Sequence, residues 1–563
     1  MMHRVIERSN QRNGSESSKK PEPKRTIKSS PFTFQWDVEK EDTLNDTDDL
    51  YSMLQPRAIR SAGVTPSTIS TTAKITTGAE ERKRRQVILQ AEQERKRSKI
   101  TYDDLHWTEK PLSKMTDRDW RIFKEDFEII TKGGDIPNPI RYWSESGIPQ
   151  AILDTIDSLG YKDPTPIQRA AIPIAFGVRD VIGVAQTGSG KTASFIIPLL
   201  SYIIELPRLN PVTKVDGPYG IILAPTRELA QQIELEAQRF CTPLGFRCVS
   251  SVGGHSMEEQ SFKLDEGAEI VVATPGRLMD CLDRRILVSS QCCYVVMDEA
   301  DRMIDFGFEE QVNKILDALP VSNVKPDTED SQVLTSQSKF LGGKERYRQT
   351  MMYTATLPPS VEKLARKYLR CPANVTIGSS TGEAGATVKQ FTEFISAYEK
   401  RKARVLAILS DSRTRYQPPV IIFVNHKHHC DELVKAIHSI GWNAVTYHGS
   451  KSQVDRERAL AQLRSGQAEV LVATDVAGRG IDIPDVSLVI NYEMSKKIDA
   501  YIHRIGRTGR AGKSGTAITF LGEEDDPVLY DSKNIIRKSK ISRVSDELNR
   551  HPAAKYKIVT QAR

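Results

Sequence analysis

Residues 181–192 read Val-Ile-Gly-Val-Ala-Gln-Thr-Gly-Ser-Gly-Lys-Thr. A short apolar run suited to a strand enters a glycine-rich turn, and a helix-forming stretch opens at Lys191. Strand, glycine loop and helix in that order are the setting of a P-loop. The backbone N–H groups of such a loop wrap phosphate oxygens, and the helix N-terminus favours negative charge. Gly188 and Gly190 let the chain turn inward, with Ala185, Gln186, Thr187 and Ser189 completing the loop. The Lys191 ammonium suits the β- and γ-phosphates, and the Thr192 hydroxyl suits Mg2+. Ala185 stands where the usual pattern has glycine.

Outward from this loop, a second strand pattern, Tyr294-Val295-Val296-Met297, runs into Asp298-Glu299-Ala300-Asp301. Acidic side chains gathered at a strand end repel one another unless a cation lies between them. Asp298 is placed to hold Mg2+, and Glu299 to orient or deprotonate an attacking water. With a P-loop upstream, the pattern implies ATP hydrolysis. Before the P-loop stands Gly160-Tyr161-Lys162-Asp163-Pro164-Thr165-Pro166-Ile167-Gln168. A glutamine amide matches the donor–acceptor edge of adenine, and Trp143 or Tyr161 would stack on the base. A turn followed by a helix cap explains Gln168 equally well.

The same grammar extends along the chain. Val181–Val184, Gly220–Leu223, Ile270–Ala273 and Tyr294–Met297 alternate with helical stretches over residues 143–378. Val420–Val424, Val445–Tyr447, Val470–Ala473, Leu488–Ile490 and Ala517–Phe520 do so over 385–525. Continuously apolar strands between helices imply parallel sheets covered on both faces. The fold class is α/β: two tandem doubly wound parallel-sheet domains with a cleft between them, and sites at the carboxyl ends of the strands. Residues 1–100 read as a largely disordered charged arm. Residues 101–142, with Trp107, Trp120, Phe123 and Phe127, read as an ordered lead-in that docks on the first domain. Residues 321–345 read as a surface insertion, and 526–563 as a basic, partly disordered tail.

The second domain carries His503-Arg504-Ile505-Gly506-Arg507-Thr508-Gly509-Arg510. Three arginines at three-residue spacing on a glycine-containing segment suit phosphate better than packing, and Arg507 and Arg510 would reach across the cleft as arginine fingers. Upstream, Ala473–Asp482 is a Gly-bounded loop with two carboxylates and one arginine, in which Asp482 suits a ribose hydroxyl.

These segments, with Ala224-Pro225-Thr226-Arg227-Glu228-Leu229-Ala230, Gly253-Gly254, Thr274-Pro275-Gly276-Arg277-Leu278 and Thr354-Ala355-Thr356, occur in the order of the full motif series of DEAD-box RNA helicases. The chain resembles that family over about 143–525. The resemblance implies two RecA-like domains closing on ATP and RNA. It implies that Trp143 and Gln168 read adenine, that Lys191, Thr192, Asp298 and Glu299 hold and hydrolyse the Mg2+-bound nucleotide, and that Arg507 and Arg510 are the fingers. Asp482 would contact ribose. Thr354, Thr356 and Asp301, together with His503, would couple the ATP site to RNA. Pro225, Thr226, Arg227, Gly254, Thr274, Gly276 and Arg277 would grip the RNA backbone from the first domain, and Asn425, Gly449, Thr474 and Arg479 from the second. Backbone-directed contacts of this kind accept any RNA sequence. In two places the chain departs from the pattern: Thr354 where many members have serine, and Ser495 where proline is expected.

A narrower resemblance lies outside the core. Met115–Phe123, Gly133–Arg141 and Asp546–Pro552 resemble the spliceosomal branch of the family, which exchanges small nuclear RNA–protein particles at the 5′ splice site. It implies single-stranded or short duplex RNA, small nuclear RNA and pre-mRNA as substrates, and spliceosomal particle components as partners. A DEAD-box helicase of ribosome assembly and an ATP-gated RNA clamp are the alternatives.

The 563 residues carry 80 Lys and Arg against 73 Asp and Glu, a mild net charge of +7 that permits an anionic partner without requiring one. Seven cysteines without a CxxC pair exclude a disulfide scaffold and the usual zinc modules. With no apolar leader at Met1 and no run long enough to span a bilayer, the expectation is a soluble protein of nucleus or cytoplasm with no membrane partner, monomeric when free. The basic block Glu81–Arg97 reads as a solvated helix, an import signal or an RNA contact. His426, His428, His429 and Cys430 match no closed metal site and read as a helix entry facing RNA; Cys292 and Cys293 read as buried thiols.

Overall fold

The computed structural model describes residues 105–254, 256–321, 324–325, 347–378, 387–412, 416–475, 483, 485–509, 513–539 and 541–556. All of them belong to one compact unit, residues 95–563. The charged arm and insertion residues 326–345 lie outside the described residues.

The first domain is built on eight strands: β1 (Ile129–Lys132), β2 (Val181–Val184), β3 (Gly220–Leu223), β4 (Cys248–Ser251), β5 (Ile270–Ala273), β6 (Tyr294–Met297), β7 (Gln349–Thr354) and β8 (Ala373–Ile377). Their order is β1-β8-β2-β7-β6-β3-β5-β4. Every pair is parallel except β1 with β8. β2, β3, β5 and β6 are apolar runs because helices cover both faces, leaving no solvent side to call for polar residues. β7 departs from that pattern, since Gln349 and Thr350 are buried with the rest. The Gln349 amide donates to the carbonyls of Ala175 at 3.1 Å and Arg179 at 3.0 Å, which offsets its burial.

The apolar stretch after the P-loop forms the helix Lys191–Ile203, with Phe195, Ile196, Ile197, Leu199, Leu200 and Ile203 fully buried. Each such side chain contributes about 1.5–3 kcal/mol by leaving water. That burial anchors the helix whose N-terminus faces the cleft.

The second domain has six strands: β9 (Val388–Phe394), β10 (Val420–Val424), β11 (Ala444–Tyr447), β12 (Val470–Thr474), β13 (Leu488–Asn491) and β14 (Gly515–Leu521). They are ordered β11-β12-β10-β13-β14-β9, all parallel. Parallel strands point their carboxyl ends the same way, so the loops after β2, β3, β5, β6 and β7 share one edge of the first sheet.

The lead-in is integral to the first domain. β1 pairs antiparallel with β8, from Ile129 opposite Ile377 to Lys132 opposite Asn374, and extends the sheet. The helix Asp117–Asp126 precedes it, and Trp107, Trp120 and Phe123 join the main core. A capping box of Thr116 and Asp119 starts that helix. Asp119 also binds the buried Lys110 at 2.8 Å, and this hydrogen bond holds its carboxyl down at about 2 despite burial.

The tail expected to be partly disordered carries the helices Asp526–Lys538 and Asp546–Arg550 and a short 3-10 turn, Pro552–Ala554. The helix Asp526–Lys538 packs Val528, Leu529, Ile535 and Ile536 into the second core, joined by Leu548 and Ala554. Apolar residues spaced along one helix face suffice to bury that face even in a basic segment. Arg537 and Lys538 stay exposed on the other side.

The Lys110–Asp119 pair yields a test. Asp119→Ala removes the carboxylate paired with the buried Lys110 ammonium and half of the capping box, and is expected to lower stability by about 3 kcal/mol. Because the Asp119 carboxyl lies below its unfolded value, the wild-type contribution is full above about pH 4 and lost as pH falls toward 2. Urea melts followed by tryptophan fluorescence check both, and the variant's melts should lack that acid-dependent loss.

Candidate nucleotide and RNA site

The two domains line one cavity of about 1150 Å³. Tyr161, Gln168, Thr187, Gly188, Gly190, Lys191, Thr192, Asp298 and Glu299 enter from the first domain, and Arg464 and Arg507 from the second. The P-loop leaves β2 at Ala185, whose N–H donates to the Thr354 carbonyl at 3.1 Å. Lys191 is buried, with its ammonium on the Ala185 carbonyl at 2.9 Å. Ser189 closes the turn on the Gln186 carbonyl at 2.8 Å. Gly190 has φ +88°, and a Cβ there would come within 2.7 Å of Gln168 Nε2, so the position requires glycine.

Gln168 has both ends of its amide engaged. Its Oε1 accepts the Thr165 N–H at 2.8 Å, and its Nε2 donates to the Gly190 carbonyl at 3.0 Å. The helix-cap reading of this residue holds, and the cap ties the helix Pro166–Phe176 to the P-loop. Tyr161 lines the cavity with its hydroxyl on Glu236. Trp143 does not reach the cavity. Its ring is buried in the first core, where the short 3-10 turn Trp143–Glu145 packs it, and its indole N–H has no partner.

Asp298 and Glu299 follow β6, which sets both carboxylates at the strand's carboxyl end. Both are buried, and Asp298 accepts the Glu299 N–H at 3.0 Å. Burial pushes the Asp298 carboxyl up to about 6, with Glu299 adding to the rise and Lys191 opposing it. Glu299 sits at φ +50°, a left-handed conformation strained for a side chain of its size. Two buried carboxylates facing an ammonium, with the Thr192 hydroxyl on the same wall, are a donor set that fits a divalent cation on a phosphate chain.

Asp301, one turn on, joins the two domains. Its Oδ2 accepts the Thr356 N–H at 3.1 Å and hydroxyl at 2.8 Å, and lies 3.5 Å from His503 Nε2 of the second domain. The Thr354 hydroxyl donates to the Thr356 carbonyl at 2.5 Å. Thr187 donates across the cleft to the Gly506 carbonyl at 3.3 Å. Arg507 is buried at the cavity, with its Nε on the His503 carbonyl at 3.2 Å.

Arg504 does not share that setting. Its guanidinium grips Asp475 in bidentate fashion at 2.5 and 2.7 Å, and also reaches Asn425 Oδ1 and the Glu493 carbonyl, both at 2.6 Å. Of the three arginines expected to suit phosphate, this one is a buried internal brace. The same brace occupies Asn425, whose amide N–H donates to the Met494 carbonyl at 2.8 Å, so its side chain is spent within the second domain. Arg479, Asp482 and Arg510 lie outside the described residues.

On the candidate RNA face, Pro225 and Thr226 are buried, and the Thr226 hydroxyl caps the helix Arg227–Leu244. Arg227 lies against Gly253 and Gly254, where a Cβ on Gly254 would fall 2.1 Å from its guanidinium. Burial, then the charge of Arg456, pulls the Arg227 value down. Arg277 donates to the Val252 carbonyl at 3.2 Å. Thr274 is buried, whereas Gly276 and Gly449 have open space at the Cβ position, Gly449 being exposed. Thr474 ends β12 and is buried. Sequence reasoning missed Arg456, which crosses from the second domain to Glu228 at 3.3 Å, as well as Glu236 and Arg464. Glu228 stood inside a quoted motif, but nothing in the chain points to its partner 228 residues away.

With this geometry the family follows. Residues 165–364 match the DEAD/DEAH box helicase family, and residues 400–512 match the helicase conserved C-terminal domain. The chain is 59% identical over 540 residues to a pre-mRNA-splicing ATP-dependent RNA helicase, PRP28, of Coccidioides immitis, covering 93% of this chain and 65% of the relative. It is 56% identical over 569 residues to the PRP28 helicase of Gibberella zeae, covering 97% of this chain and 77% of that one. A crystal structure of the RNA helicase Prp28 from Chaetomium thermophilum bound to ADP is 59% identical, covering 79% of this chain and 100% of that one, with a TM-score of 0.42. The chain belongs to the DEAD/DEAH box helicase family. Its class is that of the ATP-dependent RNA helicases, with two RecA-like domains.

The Asp298 environment sets a pH test. Its raised carboxyl means that ionisation costs stability in the nucleotide-free protein as pH rises from about 4 to 6, and the cost stays constant above. Asp298→Asn should therefore raise neutral-pH stability by about 2–3 kcal/mol, with the gain gone near pH 4. Thermal melts of the nucleotide-free protein across pH check this; a destabilised variant at pH 7 contradicts it.

Proposed function

We propose that the chain is an RNA-stimulated ATPase that unwinds short RNA duplexes or remodels RNA–protein complexes in pre-mRNA splicing, exchanging small nuclear RNA particles at the 5′ splice site. The carrying observation is the cavity in which Lys191, Asp298 and Glu299 of one domain meet Arg507 of the other. The splicing role is supported by the two PRP28 relatives, and it calls for a nuclear location. The partners are small nuclear RNA, pre-mRNA and particle components, and the protein is a monomer when free.

In this reading Lys191 and the P-loop N–H groups hold the phosphate chain of ATP. Thr192 and Asp298 hold Mg2+, which supplies charge neutralisation at the phosphates. Glu299 orients the attacking water and takes its proton. Arg507 stabilises charge that develops on the transferring phosphoryl group, and it does so only when the domains are together. Gln168, in exchanging its present partners, and Tyr161 face the base, and Asp482 the ribose. Asp301, Thr354, Thr356 and His503 link that state to the RNA face formed by Pro225, Thr226, Arg227, Gly254, Thr274, Gly276, Arg277, Gly449, Thr474 and Arg479. Asn425 contributes through its backbone and by bracing Arg504. Arg510 is the second finger.

ATP hydrolysis by the full chain with and without single-stranded RNA tests the reading. Hydrolysis should rise with RNA and fall at least about 100-fold in Lys191→Ala, Glu299→Gln and Arg507→Ala. Hydrolysis indifferent to RNA would overturn the helicase reading. RNA-stimulated hydrolysis that leaves short duplexes paired would favour a clamp.

A further inference from the structure

Away from the cavity, a second set of contacts joins the domains. Arg302 is buried in the first domain, with Nη1 on Asp305 at 3.1 Å and Nη2 on the Asp499 backbone carbonyl of the second domain at 3.1 Å. Lys497 of the second domain reaches the other oxygen of Asp305 at 2.9 Å. Asp305 thus takes a cation from each side.

The position of Lys497 gives this contact leverage. It directly precedes the helix Ile498–Ile505, which carries His503 and leads into Arg507. Eight residues of helix span about 12 Å, so the helix is tied at one end by Lys497 and at the other by His503 beside Asp301 and by the Gly506 carbonyl, which accepts from Thr187. Two anchors fix the direction of a rod where one leaves it free to pivot. Ser495 holds the approach: it is buried, and its hydroxyl donates to the Lys497 carbonyl at 2.8 Å. That bond restrains the loop where proline was expected.

We propose that Lys497 and Asp305 form a charge latch across the cleft, with Lys497 a positioning residue that aligns the helix bearing His503 and Arg507 when the domains close on RNA and ATP. The inference rests on the helicase reading above. Lys497 is largely exposed, so the latch is modest and screened by salt.

The test uses the full chain and a single-stranded uridine oligomer, reading the RNA concentration for half-maximal ATPase stimulation. Lys497→Glu faces Asp305 with like charge and should raise that concentration about five-fold, with the melting temperature unchanged. Lys497→Arg should match wild type. Lys497→Glu combined with Asp305→Asn removes the repulsion and should recover to within about two-fold of wild type. A Lys497→Glu chain that behaves as wild type, or a double variant no better than the single, overturns the latch. If the wild type itself is not stimulated by RNA, the functional reading fails first.

Discussion

Asp301 accepts two hydrogen bonds from Thr356 in its own domain and faces His503 of the other at 3.5 Å. A buried carboxylate is costly unless it is paired; this one is hydrogen-bonded within its own domain by Thr356 and the Arg302 N–H, and the second domain brings the His503 ring to 3.5 Å. Asp301 and His503 meet where both sheets present their carboxyl ends to the same space. The parallel arrangement of the strands makes that meeting possible, because the loops that carry chemistry emerge from one edge of each sheet.

The charges in the cavity follow the same division. Asp298 and Glu299 bring buried carboxyl groups to the cavity, Lys191 lines it from the same domain, and Arg507 comes from the other. The cationic side chains of the cavity come from both domains, Lys191 from the first and Arg464 and Arg507 from the second. Arg504 and Arg507, three residues apart, illustrate how position decides role. Arg504 points into the second domain and is consumed by Asp475, Asn425 and Glu493; Arg507, beyond the helix end, turns toward the cavity.

The strands around the P-loop were legible because burial on both faces leaves unbroken apolar runs, and glycines with positive φ mark their turns. That Lys191, Asp298 and Glu299 share one cavity was legible for a related reason: each is set within a few positions of a strand end. What escaped was decided by distant partners. β1 is a four-residue edge strand whose pairing with β8 depends on chain more than 240 residues later. Trp143 has the composition of a stacking residue, but the core takes it. Asn425 carries an amide suited to a ligand that the fold uses as a brace. The Arg456–Glu228 and Lys497–Asp305 pairs join separate domains, and no periodicity within either segment encodes them. The tail read as loose because its basic residues dominate composition, while the few apolar ones that fold it share one helix face.

If the chain works as proposed, nucleotide and RNA each hold the domains in the same closed arrangement, so that each strengthens the other. The direct measurement is the affinity of the full chain for single-stranded RNA with and without a non-hydrolysable ATP analogue. The account predicts markedly tighter RNA binding with the analogue, and no such gain in Arg507→Ala. Equal RNA affinity in both conditions would contradict it.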